Sequence, residues 1–253
     1  MTPLDEHDSA DRVHRLAHVR WIAGGTGAGK STLARILSER HDVLVYDGDL
    51  AERRYVRRCT PQRQPRLWAL SRTPLERRWA DRTPEEAFRS MPSLHGETFG
   101  FVVEDLLTLP ADRPVLVDDF RTLPAHVAPL LAWRGQAVFL LPTPGFRGHA
   151  LGTRFADPDR ARANWGNSDH VSALAKRLAR DKLWDEEVRR QAGRLGLPVL
   201  EVDGSRDAAR LAGELAAMFL LTGNRSHTPG RTPGNHPDGR FRTEPDGFEA
   251  GPR

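Results

Sequence analysis

Val19-Arg20-Trp21-Ile22-Ala23-Gly24-Gly25-Thr26-Gly27-Ala28-Gly29-Lys30-Ser31-Thr32 (VRWIAGGTGAGKST) is the stretch from which the rest of the chain can be read. An apolar run leads into a glycine-rich loop of the form G-x-x-x-x-G-K-[ST]. Residues 30–40 then carry Leu33, Ile36 and Leu37 at the spacing of one helical face. Strand, loop and helix are the context in which this spacing has a physical meaning. Gly24, Gly25, Gly27 and Gly29, with Thr26 and Ala28 between them, let the backbone wrap so that its N–H groups point at phosphate oxygens beside a positive helix end. Lys30 is then expected to reach the β- and γ-phosphates, the Ser31 hydroxyl to bind Mg²⁺, and Thr32 to help cradle the α-phosphate.

Outward from this loop, apolar runs alternate with helical patterns. Val19–Ala23, Val43–Tyr46, Val115–Val117, Ala137–Leu141 and Pro198–Val202 are near-continuous apolar runs, the habit of parallel strands covered on both faces. Val171, Leu174, Leu178, Trp184, Val188 and Leu195 approximate the stripe of one longer or broken helix stopped by Gly196 and Pro198. Ser205 is expected to cap a last helix burying Leu211, Leu215, Met218 and Phe219. The alternation predicts an open α/β sheet. The stretch 50–113 departs from it. Helices are expected at residues 51–58, 65–71, 74–80, 84–91 and 93–109, with Thr73 and Thr83 as N-caps before prolines. Together they predict a helical insert over one edge of the sheet. The domain plan is a leader at 1–17, one domain at 18–221 and a tail at 222–253, whose Gly- and Pro-rich, aliphatic-poor composition predicts disorder.

Composition removes several classes. The single cysteine, Cys59, excludes an internal disulfide framework and any multi-cysteine zinc site. The charged N-terminus lacks the apolar core of a secretory signal, and the longest apolar runs fall far short of a membrane span, so the expected location is the cytoplasm without membrane contact. The formal charge is only +4 although Lys and Arg total 38. Positive charge of this size suits an anionic substrate at least as well as nucleic acid.

Two further stretches narrow the chemistry. Val115-Leu116-Val117-Asp118-Asp119 is an apolar strand delivering carboxylates, with Asp118 the better Mg²⁺ candidate and Asp119 its rival. The second strand ends in Tyr46-Asp47-Gly48-Asp49. Neither the guanine-recognition motif N-K-x-D nor the ABC signature L-S-G-G-Q is present. The combination of GGTGAGKST with D-G-D after the second strand resembles the small-molecule kinase branch of the P-loop NTPases, which includes adenylyl-sulfate, gluconate and shikimate kinases and chloramphenicol phosphotransferase. That resemblance implies a three-layer α/β fold with a five-stranded parallel sheet of order 2-3-1-4-5. It also implies ATP and Mg²⁺ as ligands, and an acceptor bound between the end of the second strand and the helices after it. In the same reading Asp47 resembles a carboxylate near the Mg²⁺ shell, and Asp49 one that holds or deprotonates the acceptor hydroxyl. Val202-Asp203-Gly204-Ser205-Arg206 resembles the loop that packs against adenine, with Gly204 at its centre. Arg154, and less strongly Arg147, Arg160 and Arg162, fall where related kinases place lid arginines.

Weaker signals complete the reading. Eleven arginines lie between Arg53 and Arg89, interleaved with Trp68 and Trp79. They suit an anionic acceptor, although a solvated helical face is the simpler explanation. Glu97, Glu104 and Asp105 share the next helix. The expected activity is ATP-dependent phosphorylation of a small, anionic or neutral hydroxyl compound. The alternatives are a kinase of nucleotides or nucleic-acid ends and a regulatory ATP-binding module without transfer.

Overall fold

The computed structural model describes residues 10–221, so the expected tail and the first nine residues of the leader lie outside the described residues. Five strands form one parallel sheet: β1 (Val19–Gly24), β2 (Leu44–Asp47), β3 (Val115–Asp118), β4 (Ala137–Pro142) and β5 (Val199–Val202), in the order β2-β3-β1-β4-β5. β1 is central, with Val19 opposite Val115 on one side and Trp21 opposite Ala137 on the other. Every residue of β1 and β4 is buried, as expected of strands covered on both faces.

Alternate side chains of each strand feed two separate cores. Ile22, Leu116, Val138 and Leu140 pack against α1 (Lys30–Arg40) and the last helix, α11 (Ala208–Met218). Trp21, Val117, Phe139 and Leu141 pack on the other face with Tyr55, Leu67, Phe101 and Leu106 from the stretch between β2 and β3, and with Trp184 and Val188. Each such buried aliphatic or aromatic side chain contributes about 1.5–3 kcal/mol relative to exposure. The helices α2 (Gly48–Arg58), α3 (Pro65–Arg72), α5 (Pro84–Arg89) and α6 (Phe99–Thr108) thus feed the core on one face of the sheet rather than lying over its edge, whereas α4 (Leu75–Ala80) adds nothing to that core. Leu16, in the expected leader, also belongs to this core.

Several local expectations change in physical detail. Gly96, with φ of 69°, divides the expected helix at 93–109 into a 3₁₀ turn (Pro92–His95) and α6. Thr83 caps α5 in a reciprocal capping box with Glu86. Thr73 does not cap α4: its hydroxyl donates to Ala69 O of the preceding helix at 2.8 Å. Ser205 does not cap α11 either. Asp207 does, accepting from Arg210 N at 2.7 Å, while Ser205 donates to Asp203. After the short α7 (Pro124–Val127), three helices follow β4: α8 (Pro144–Phe155), α9 (Pro158–Trp165) and α10 (His170–Leu195). The last is unbroken, capped by Asp169 and ended by Gly196, although Val171 at its start is 80% exposed and outside the core. Phe155, Trp165, Ala173 and Leu174 form a third cluster joined by Trp79 of α4. The insert and the helices after β4 are therefore packed together.

Candidate active site

The order β3-β1-β4 means that the chain leaves β1 with its next strands on opposite sides. In open α/β sheets, the crevice at the carboxyl end of such a switch point is where ligands bind. A cavity of about 470 Å³ opens there, lined by Thr26, Gly27, Gly29, Lys30, Ser31 and Thr32 on one side. Gly29 forms the N-cap of α1, and none of the described groups accepts a hydrogen bond from the backbone N–H groups of residues 27–32. A helix start always leaves such donors without intrahelical partners. Here the preceding loop adds to them.

Lys30 is buried, and its ammonium donates to Gly25 O at 2.7 Å. Burial lowers its pKa, against the opposing pull of Asp118, Asp119, Asp49 and Asp185. The loop rests on a buried pair from the helices after β4. Arg147 Nε donates to Thr26 O at 3.2 Å, and its guanidinium bonds Asp185 of α10. A methyl group at Gly25 would lie 2.6 Å from Asp185 Oδ1 and 2.8 Å from Arg147 Nη2, so only glycine fits. Arg147, expected as a lid arginine, is instead buried beneath the loop.

Asp118 ends β3 beside Ile22 and Asp47. Burial raises its pKa, opposed by Lys30 and a hydrogen bond with Ser31 and reinforced by Asp49 and Asp47. Asp119 has a different task. Buried, it accepts from Arg121 at 3.0 Å and from Thr122 Oγ1 at 3.0 Å. Its side chain also fixes Gly48, where a methyl group would come within 2.7 Å of its carboxyl carbon.

Asp47 caps α2, accepting from Leu50 N at 3.0 Å, and faces a small cleft with Ser31, Arg35 and Asp118 rather than the main cavity. Asp49, in the first turn of α2, does line the main cavity. Arg121 donates to its Oδ1 at 2.9 Å and to Glu52 at 2.5 Å. The Asp49 side chain is exposed at the cavity mouth, and Arg121, with Lys30 and Arg177, outweighs the loss of hydration there and holds the carboxyl below its ordinary range. Arg121 itself loses stabilisation on burial, which Glu52, Asp119 and Asp49 more than return, so it stays charged. This arginine was missed by sequence reasoning. Its only signal was its place two residues after Asp119.

The lining also includes Arg154, Phe155, Arg160, Asn164 and Arg177 from α8, α9 and α10, and Phe120 just after β3. Arg154 and Arg160 are thus in the cavity wall, whereas Arg162 is exposed and outside it. Gly24, Gly25 and Ala28 belong to the loop but not to the lining. Gly204 is also outside it, where an added methyl group would lie 3.1 Å from Phe146. The acidic residues around α6 serve the insert. Asp105 accepts from Tyr46, Tyr55 and Arg54, Glu104 from Arg58, and Glu97 from the first N–H groups of α3. Cys59 is buried at the end of α2.

No protein-family model matches this chain, and no curated protein does. Among the described residues no helix is long and apolar enough to cross a membrane.

Proposed function

We propose that this chain is an ATP- and Mg²⁺-dependent phosphotransferase of the P-loop kinase type, moving the γ-phosphoryl group onto a hydroxyl of a small molecule. The observation that carries the reading is the row of unpartnered backbone N–H groups at residues 27–32, set around a buried lysine at a helix start. Such a row suits a chain of phosphates. Lys30 would exchange the Gly25 carbonyl for phosphate oxygens. Ser31 and Asp118 would hold Mg²⁺, with Asp47 behind them. The donor set fits that ion, which usually takes one or two carboxylates plus substrate phosphates. Asp118 is crowded by Asp47 and Asp49, a repulsion that a cation relieves. When bound, the ion neutralises charge on the phosphate oxygens.

Phosphoryl transfer needs positioning and charge compensation more than covalent help from the protein. Asp49, kept ionised by Arg121, accepts a hydrogen bond from the acceptor hydroxyl and aims its oxygen at the γ-phosphorus. The new O–P bond forms as the bond to the β-phosphate oxygen breaks and ADP leaves. The hydroxyl proton passes to Asp49 late and then to solvent, as befits a weak base. Arg154 neutralises charge from α8.

One observation favours a second reading, a nucleic-acid end as acceptor. Arg53 and Arg57 follow Asp49 at four-residue spacing on α2, both exposed and without an ion pair to any described residue. They would extend the site along an anionic polymer.

Differential thermal stability tests the leading reading. Mg-ATP should raise the melting temperature of the wild type, and Lys30→Ala should abolish most of that rise while keeping its ligand-free stability. Equal stabilisation of both proteins would refute it. With an acceptor in hand, Asp49→Asn should keep nucleotide affinity and lose roughly 10²-fold in transfer, whereas Asp118→Asn should weaken Mg²⁺-dependent binding as well.

A further inference from the structure

Arg147 grips the glycine-rich loop from the side of α8. Its Nε donates to Thr26 O at 3.2 Å, and its Nη2 donates to Asp185 Oδ2 of α10. Two neighbouring N–H groups of one planar fork are thus committed, which fixes the plane of the guanidinium. Both side chains are buried, and neither lines the main cavity. A buried ion pair contributes little net stability, because lost hydration offsets the attraction. Here the balance is poorer still, since buried Asp185 Oδ1 has no hydrogen-bond partner among the described residues. Such a half-satisfied pair calls for a reason other than stability.

Peptide geometry supplies one. In the planar trans unit joining Thr26 to Gly27, the carbonyl of the first residue and the N–H of the second point in opposite directions. Pinning Thr26 O toward Arg147 therefore turns the Gly27 N–H away from Arg147. Arg147 lies outside the cavity, Gly27 lines it, and no described group accepts from the Gly27 N–H. The donor is thus presented to whatever fills the cavity. The preceding peptides are held differently. Gly25 N donates to Leu140 O at 2.7 Å, and Gly25 O accepts from Lys30 at 2.7 Å. When Lys30 moves onto phosphate oxygens the second of these bonds is lost, whereas the Arg147 bond involves no group that a ligand claims. Gly27, with φ of 81°, has the backbone freedom that makes such a pin consequential.

We infer that Arg147, itself oriented by Asp185, is a positioning residue of the nucleotide site, pinning Thr26 O so that the Gly27 N–H meets a phosphate oxygen. This rests on the assignment of the loop to the nucleotide phosphates. The donor is set before the ligand arrives, so binding does not have to order that peptide.

Magnetic resonance on the full chain reads both ends of this peptide. Threonine is followed by glycine only at 26–27 and 222–223. Labelling threonine carbonyl carbons with ¹³C and glycine nitrogens with ¹⁵N therefore leaves two bonded pairs, and Thr222→Ser removes the second. Mg²⁺ with a non-hydrolysable ATP analogue should move the wild-type Gly27 amide proton downfield. Arg147→Met combined with Asp185→Leu replaces both partners by apolar side chains of similar shape without changing net charge, so it should melt no lower than the wild type. Its Thr26 carbonyl carbon should shift, its affinity for the analogue should fall roughly tenfold or more by calorimetry, and its Gly27 shift at saturation should shrink. A loss of stability alone would leave that saturated shift unchanged. Arg147→Lys keeps a charge beside Asp185 without the planar fork, and decides the matter if the double variant does not fold. A folded variant with a displaced Thr26 carbonyl signal but wild-type affinity and the full Gly27 shift would overturn the inference, as would a Thr26 signal that no variant displaces. A wild type that does not bind the analogue would instead sink the phosphotransferase reading, and the inference with it.

Discussion

At the scale of single residues, Arg121 has the largest consequences. One guanidinium ties the strand end at Asp119 to Asp49 and Glu52 on the following helix. Removing it leaves three carboxylates facing each other, with Asp119 buried, and uncompensated buried charge of this kind costs about 3–5 kcal/mol. Arg121→Met should therefore lower the denaturation midpoint in urea markedly. Arg121→Lys should fall between, since an ammonium keeps the charge but not the planar fork. Asp185 offers a second test. Burial raises its pKa from the ordinary 3.8 to about 6, against the pull of Arg147. A carboxyl whose folded pKa is raised stabilises the fold while protonated, so this contribution fades as pH rises from about 4 to about 6. Asp185→Asn should remove that part of the slope, seen as a melting temperature at pH 6 that is higher relative to the value at pH 4 than in the wild type. The sequence made Lys30, Ser31 and Asp118 legible because fixed spacing ties them to one loop and one strand end. Arg121 was not legible, because its partners Asp49 and Glu52 lie 72 and 69 residues away in an arginine-rich chain.

At the scale of elements, strand positions were readable because β1, β3 and β4 are apolar throughout, and α1 because its period and its glycine start agree. Helix ends were less so. A threonine before a proline describes both Thr83 and Thr73, yet only Thr83 has a glutamate three residues on that closes the box. Thr73 has Glu76 at the same distance, but that side chain reaches across to Asn167 N at 3.1 Å. Tertiary demand for Glu76 won over the local cap. Thr83→Ala should accordingly cost about 1 kcal/mol, and Thr73→Ala less, as measured by chemical denaturation. Val171 misled for a similar reason. It fits the helical stripe by spacing, but at the start of α10 the packed side chains are Ala173 and Leu174, which join the Trp165 cluster, and Val171 is left exposed.

For the molecule as a whole, the insert and the wall of the cavity behave as one packed unit. Trp79 enters the Trp165 cluster, its carbonyl accepts from Lys176 Nζ at 2.9 Å, and Glu76 holds the turn after α9. The sequence announced an insert but placed it over a sheet edge, since nothing in its own pattern says which neighbour its tryptophans meet. Trp79→Ala should raise amide exchange in α4 and α9 together while leaving β1 and β4 protected. Faster exchange confined to α4 would show that the two move independently. Such coupling means that the helices presenting Arg154 and Asn164 cannot shift without the insert.

The scarcity of lysine gives the buried Lys30 a practical use. Only Lys30, Lys176 and Lys182 occur in the 253 residues. Lys182 is exposed on its helix, and Lys176 is held by the Trp79 carbonyl. A depressed pKa makes the Lys30 amine more nucleophilic near neutral pH, while its burial keeps most reagents away. An amine-reactive label small enough to enter the cavity would thus read out the site against two internal standards in a single mass spectrum. Any compound that shielded Lys30 while leaving Lys182 reactive would declare itself a ligand of this cavity, whatever its chemical class.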